Sequence, residues 1–235
     1  MLSVKHAWLL TYALVLCLKL SAQQAGAIYI YKTAPNGGEG KFYLGREIAQ
    51  IMSFDGAAWL ERDNRQREEN TELAISKLPI NKSSVVADIG AGTGYYTFRI
   101  APKVGKVYAV EIQDDANKYL ENKSRQLKQT NVTVIKGGER SPNLPANTID
   151  LAIMVDVYHE LLYPQEMLQA IRASLKPKGR LLLIEYRAED PEVAIKALHK
   201  MSVTQVNKEM KANGFHLVQR GEFMPIQHFL VYQKD

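Results

Sequence analysis

The chain has 235 residues, 46% of them hydrophobic and 23% charged, with a formal net charge of +5. That is globular composition, which excludes disordered, collagenous and multi-span membrane classes and leaves room for one α/β core with an appendage, folded without metal or disulfide. The positive excess falls to +3 once Lys5 and Lys19 of the leader are set aside, and the basic residues alternate with acids, so no nucleic-acid partner is expected.

Residues 1–22 place Lys5 and His6 before an apolar run from Ala7 to Leu18, followed by small and polar residues. This is the order of a secretory signal peptide. Twelve apolar-dominated residues are too few to span a bilayer, although they suffice for an interfacial anchor that associates the chain with a membrane. The expected location is therefore exported, periplasmic or secreted, or anchored to a membrane; an extra amphipathic helix on a cytoplasmic protein is the alternative. Cys17, the sole cysteine, lies in this leader. Its removal would leave no thiol, which excludes cysteine nucleophiles, zinc ribbons and cysteine-held iron–sulfur clusters.

Residues 23–70 are expected to form a loop and an N-terminal helical cap. Pro35 to Gly40 is glycine-rich and reads as a loop. Residues 41–78 look helical: Ile48, Ile51 and Met52 make a short apolar stripe, Phe54-Asp55-Gly56 breaks it, and Ala58 to Lys77 resumes with a charged face. Arg62, Arg65 and Glu69 share that face, either as a lid over a ligand or as solvated surface, while Trp59 is expected to pack.

Residues 71–235 carry the main domain. β-branched runs at Val85–Ile89, Val107–Glu111, Val132–Ile135, Ile149–Val155 and Arg180–Glu185 alternate with helix-compatible segments. This is the βαβ pattern of a doubly wound, Rossmann-like, mostly parallel sheet. Ser202 and Gln205 fit a capping box that opens a helix closed by Gly214. Phe215–Val218 and His228–Gln233 are separated by a link short enough for an antiparallel pair at the C-terminal edge.

The stretch Val85-Val86-Ala87-Asp88-Ile89-Gly90-Ala91-Gly92-Thr93-Gly94 puts a glycine turn between the first buried strand and a helix, where a ligand approaches the backbone. In the dinucleotide fingerprint the third glycine falls where Tyr95 stands; here it comes one residue earlier, at Gly94. No Gly-Lys-Ser or Gly-Lys-Thr follows, which excludes a P-loop. Glu111, at the end of the second strand, suits the two hydroxyls of a ribose and repels a 2′-phosphate. A second carboxylate at Asp88 favours a ligand bearing an ammonium or sulfonium group over one bearing pyrophosphate.

Asp88-Ile89-Gly90-Ala91-Gly92-Thr93-Gly94 with Glu111 resembles motifs I and II of the class I S-adenosylmethionine-dependent methyltransferases, and within them the type 11 and ubiquinone/menaquinone-biosynthesis group. The resemblance covers about residues 70–235. It implies a seven-stranded sheet with its last strand inserted antiparallel and S-adenosyl-L-methionine as cofactor. By position, Gly90, Ala91, Gly92 and Gly94 would wrap the methionine part, Asp88 would orient the loop or the amino group, and Glu111, followed by Ile112, would hold the ribose. Family members usually carry an acid just after the third strand, near the adenine amino group; Gly138 stands there, with Glu139 or backbone groups as substitutes.

Ligands of open α/β sheets lie beyond the carboxyl ends of the strands. Asp156, Tyr158, His159 and Glu160, after the fourth strand, and Glu185, at the end of the fifth, are therefore candidates for the pocket. His159 is expected to be the base that takes a proton from the acceptor, unless the His-Glu pair only caps a helix. Glu185 with Tyr186, Arg187, Glu189 and Asp190 forms either an acceptor wall or an ion-pair rim. His199 and Met201 line the pocket from the opposite side or belong to a packed loop. His159, Glu160 and Glu185 carry ligand atoms, but their spacing matches no metal motif and no metal is expected. The expected activity is methyl transfer to a small-molecule acceptor, with a non-catalytic adenosyl-ligand binding module or an NAD-dependent oxidoreductase as alternatives.

Overall fold

In the computed structural model, which describes residues 28–235, the chain builds one large sheet and one small one. The leader expected at residues 1–22 lies outside the described residues. The small sheet comes first, as three antiparallel strands: β1 (Tyr29–Tyr31), β2 (Lys41–Tyr43) and β3 (Arg46–Glu47). It corrects the helical expectation for residues 41–53. Leu44 and Gly45 both adopt positive φ, 48° and 99°, and so form the tight two-residue turn that matches strand twist in a hairpin. The apolar residues that looked like a helical stripe follow the hairpin in irregular backbone. A 3-10 turn at Phe54–Gly56 leads into the α-helices, which begin only at α1 (Ala57–Leu60), α2 (Arg65–Glu69) and α3 (Thr71–Ser76).

The alternating region then runs β4 (Val85–Ile89), α4 (Tyr95–Ile100), β5 (Lys106–Glu111), α5 (Asp114–Gln126), β6 (Val132–Lys136), β7 (Ile149–Val155), α6 (Pro164–Ser174) and β8 (Leu175–Arg187). Two residues, Lys200–Met201, pair beside β8 as β9; α7 (Val203–Ala212), β10 (Phe215–Gly221) and β11 (Gln227–Lys234) complete the described chain. The strand order is β10-β11-β8-β7-β4-β5-β6. Strands β4 to β8 pair in parallel, and β11 enters antiparallel between β8 and β10. The expected seven-stranded, mostly parallel path with its C-terminal edge pair is thus the fold, and β9 adds a short eighth strand beside the end of β8.

Both faces of the sheet are covered, so its central strands are apolar at consecutive positions. Ala87, Ala152, Met154, Leu181, Leu183, Leu230 and Tyr232 face α6 and α7 on one side. The intervening Val86, Leu151, Ile153, Leu182, Ile184, Phe229 and Val231 face α3 and α4 on the other. Charges settle the helix ends: α5 opens on Asp114 and Asp115 and closes near Lys123 and Arg125, opposing the macrodipole at each end. Ser202 caps α7 by accepting from the Gln205 amide at 3.2 Å, as the capping box predicts. Among the described residues, no helix is long and apolar enough to cross a membrane.

Candidate functional site

Where β4 stops, the chain must turn sharply toward α4, and glycines make that turn. Gly90 has φ +73° and a Cβ there would sit 2.5 Å from Val157; Gly92 has φ +54° and a Cβ there would sit 2.8 Å from Leu60. Any larger residue at either place would be strained and would fill space at the turn. The turn opens onto a cavity of about 440 Å³, within the range of small-molecule sites. Gly90, Gly92, Glu111, Ile112, Glu139, Asp156 and His159 all line it, as expected; Gly138 lines it too, where the family usually has an acid.

Asp88, Ala91, Gly94 and Glu185 are not among the lining residues. Asp88 is buried behind the turn and accepts from the Thr97 hydroxyl of α4 at 2.6 Å. Of its two expected tasks, the geometry supports bracing the loop. Burial pushes its carboxyl up to about 6, against the hydrogen bonds from Thr97. Glu111 accepts from three backbone amides, Gly92 at 3.0 Å, Ile112 at 2.6 Å and Gln113 at 3.0 Å. Its carboxylate is thereby locked between the two ligand-facing turns. These features fit S-adenosylmethionine: a turn bare of side chains for the amino-acid end, a fixed carboxylate for the sugar, and Gly137, Gly138 and Pro142 around the base.

The segment between the small sheet and α3 closes the cavity. Ile51, Met52, Phe54, Trp59 and Leu60 line it, and Gln113 fastens the segment by accepting from the Phe54 amide at 2.8 Å and donating to the Met52 carbonyl at 3.1 Å. Trp59, expected only to pack, is half exposed and lies over the opening with Arg62 stacked on its ring at 3.9 Å. The charged face of α2 is not solvated. Glu69 is fully buried and receives Arg62 at 2.6 Å, Arg65 at 2.9 Å and the Tyr186 hydroxyl at 2.9 Å. Arg65 reaches the cavity, an outcome its sequence position foreshadowed only as one arm of the lid alternative.

Next to Val157, which packs against the Gly90 turn, Asp156 has φ 54° and takes the Gln227 amide on both oxygens, at 2.9 and 2.8 Å. Burial, reinforced by Glu69 and Glu185, holds its carboxyl well above the usual range despite Arg65. Beyond it, His159 lies between carboxylates. Its Nδ1 is 2.6 Å from Glu185, and Glu185 is itself fixed by the amides of Val157 at 3.2 Å and Tyr158 at 2.7 Å. Its Nε2 is 3.0 Å from His199 Nδ1 and 3.7 Å from Glu160 Oε1. Burial acts to lower the His159 pKa, but Glu185 and Glu160 outweigh it and push the imidazole up to about 10.

One expectation changes here. His159, the expected base, has its Nδ1 taken up by Glu185 and its Nε2 on the side of His199 and Glu160. Glu185, expected in an acceptor wall or an ion-pair rim, is fully buried and does not line the cavity; it braces His159 and Val157, which do, and the adjoining Tyr158 backbone. His199 does line the cavity, facing His159 from the segment after β8. The forty-residue separation of these two histidines hid their contact from local spacing.

A family model described as a methyltransferase domain matches residues 87–181. The chain is 30% identical over 131 residues, 54% of its length and 67% of the relative's, to a protein of Methanothermobacter thermautotrophicus named "Probable cobalt-precorrin-6B C(15)-methyltransferase (decarboxylating)". A protein of the same name from Sulfurisphaera tokodaii is 27% identical over 183 residues, 74% of this chain and 91% of that one. The crystal structure of a SAM-dependent methyltransferase from Aquifex aeolicus superposes with a TM-score of 0.73 at 24% identity, covering 77% of this chain and 98% of the other.

Proposed function

Since this chain belongs to the class I S-adenosylmethionine-dependent methyltransferases, we propose that it methylates a small organic acceptor bound in the cavity beside the glycine turn. The binding-module and oxidoreductase alternatives give way to that family. The observation that carries the proposal is one cavity lined both by Gly90, Gly92 and Glu111 and by His159, Glu160 and His199. Apolar walls from Ile51, Met52, Leu161 and Met167 suit an acceptor with a ring or hydrocarbon body better than a polymer, and relatives named for a precorrin agree with such an acceptor.

S-adenosylmethionine, when bound, supplies its methyl on a positively charged sulfur. The protein's own part is positioning. Glu111 would take the ribose hydroxyls, while the bare turn at Gly90 and Gly92 would admit the amino-acid end and Glu139 would stand nearest the base. The segment from Met52 to Leu60, pinned by Gln113, would cover one side of the bound donor. His159, Glu160 and His199 face the acceptor; Glu185 is a positioning residue, holding His159 by its Nδ1.

Titration calorimetry with S-adenosylhomocysteine is expected to give one site per chain, and incubation with methyl donor and metabolite extracts to add one methylene in mass to an acceptor. No binding, or binding without turnover on any extract, would overturn the reading. We further propose that residues 1–22 direct export or anchor the chain to a membrane, the first supported by the order of their charges and apolar run. N-terminal sequencing of fractionated cells is expected to find the leader removed or membrane-bound; intact chain free in the cytoplasm would refute it.

A further inference from the structure

His159, Glu160 and His199 bring two imidazole nitrogens and one carboxylate oxygen to the same point of the cavity wall. The separations are 3.0 Å between His159 Nε2 and His199 Nδ1, 3.7 Å from His159 Nε2 to Glu160 Oε1, and 3.5 Å from His199 Nδ1 to Glu160 Oε1. A point about 2.1 Å from all three atoms exists, and it lies about 0.7 Å out of their plane. That is the low pyramid made by three protein ligands of a tetrahedral ion, with the fourth position directed outward.

The surroundings match such a site. Glu185 receives the Nδ1 hydrogen of His159, which fixes the ring and leaves Nε2 as the nitrogen that meets an ion. Glu185 is in turn held by two backbone amides, so the ring cannot swing away. Glu160 Oε1 also accepts from the Met52 amide at 3.2 Å, which steadies the carboxylate and ties it to the segment closing the cavity. Nothing in the fold requires two histidines to meet here: the core is complete without His199, which is partly exposed.

We propose that His159 Nε2, His199 Nδ1 and Glu160 Oε1 bind one divalent first-row transition ion whose open coordination position faces the acceptor end of the cavity. Two imidazoles with one carboxylate select zinc, iron or nickel over magnesium and calcium, which prefer all-oxygen sites. An acceptor oxygen bound to that ion would lose its proton to solvent more readily and be held as the nucleophile facing the donor. The acceptor's place rests on the methyl-transfer reading; the ion's does not.

The test is titration of the full-length chain, stripped with chelator, with Co2+ followed by its visible ligand-field bands, and displacement by Zn2+. One Co2+ per chain is expected, lost in His199→Ala and in Glu160→Ala and weakened about 10- to 100-fold in Glu185→Gln, while His216→Ala, remote from the cavity, leaves it unchanged. Retained S-adenosylhomocysteine binding in His199→Ala shows that the variant is folded. Acetohydroxamate, an oxygen-donor probe, is expected to shift the bands of the Co2+ form. No Co2+ uptake by the unaltered chain, or uptake by His199→Ala and Glu160→Ala equal to that of the unaltered chain, would overturn the ion site even where the cofactor binds. Bands indifferent to acetohydroxamate would overturn the open position. Ion binding without cofactor binding would instead refute the methyl-transfer reading and leave the ion site standing.

Discussion

Glu111 is held by three backbone amides, so a sugar bound there as proposed would meet a carboxylate whose ordering cost is already met. Charge-assisted hydrogen bonds contribute about 1.5–3 kcal/mol each. Glu111→Ala is therefore expected to weaken S-adenosylhomocysteine at least tenfold by calorimetry, with its fold retained. Asp88 behaves differently, because it is buried and braces Thr97. Its pKa rises from 3.8 in the unfolded chain to about 6 on folding. The folded state thus holds the proton more tightly, and the contribution is favourable below about pH 4 and lost as pH rises through 6. The loss is on the order of 2–3 kcal/mol. In Asp88→Asn that fall is expected to vanish, giving a higher melting temperature than wild type at pH 7 and a smaller difference at pH 4, read by thermal denaturation. At this scale the cofactor end was legible in sequence, since a turn that needs glycine and a strand-end acid are local signals. The His159–His199 contact was not, because it forms only after β8 and the following segment fold back across the sheet.

The helices of the N-terminal segment are short, four to six residues, and could not persist alone. Tertiary charge holds them. Glu69, fully buried, satisfies Arg62, Arg65 and Tyr186 at once, and so ties α2 to the end of β8. Removing one partner of a buried ionic cluster strands the others, at a cost of about 3–5 kcal/mol. Glu69→Ala is expected to lower the melting temperature and, by loosening the segment from Met52 to Leu60, to weaken cofactor binding; an unchanged affinity measured by calorimetry would separate this segment from the site. Strands β4 and β7 were readable to the residue, because burial on both faces demands nearly continuous apolar runs, broken here only by Asp88 and Asp150. The hairpin of β2 and β3 escaped notice: three residues and two are too few to show a period, and Leu44 in a positive-φ turn is not a residue that announces one.

At the scale of the molecule, the sheet depends on β11. Its residues Phe229 to Tyr232 are essentially inaccessible to solvent, and they pair with β8 on one side and β10 on the other. A chain ended after Ile226 would leave the long apolar edge of β8 unpaired, a template for association between copies. It is expected to be insoluble on expression, checked by fractionating lysates beside the full chain; a soluble, cofactor-binding product would show that β4 to β8 suffice.

The place of β11 also sets a clock. Because it wedges between strands made before it, β8 leaves the ribosome about forty residues ahead of the partner that covers its edge. At about 5–20 residues per second this is an interval of roughly 2–8 s in which the domain is unfinished. Any machinery that threads the polypeptide through a pore, or any chaperone that shields it, meets an unfinished sheet throughout that interval, since only the wedge covers the edge of β8.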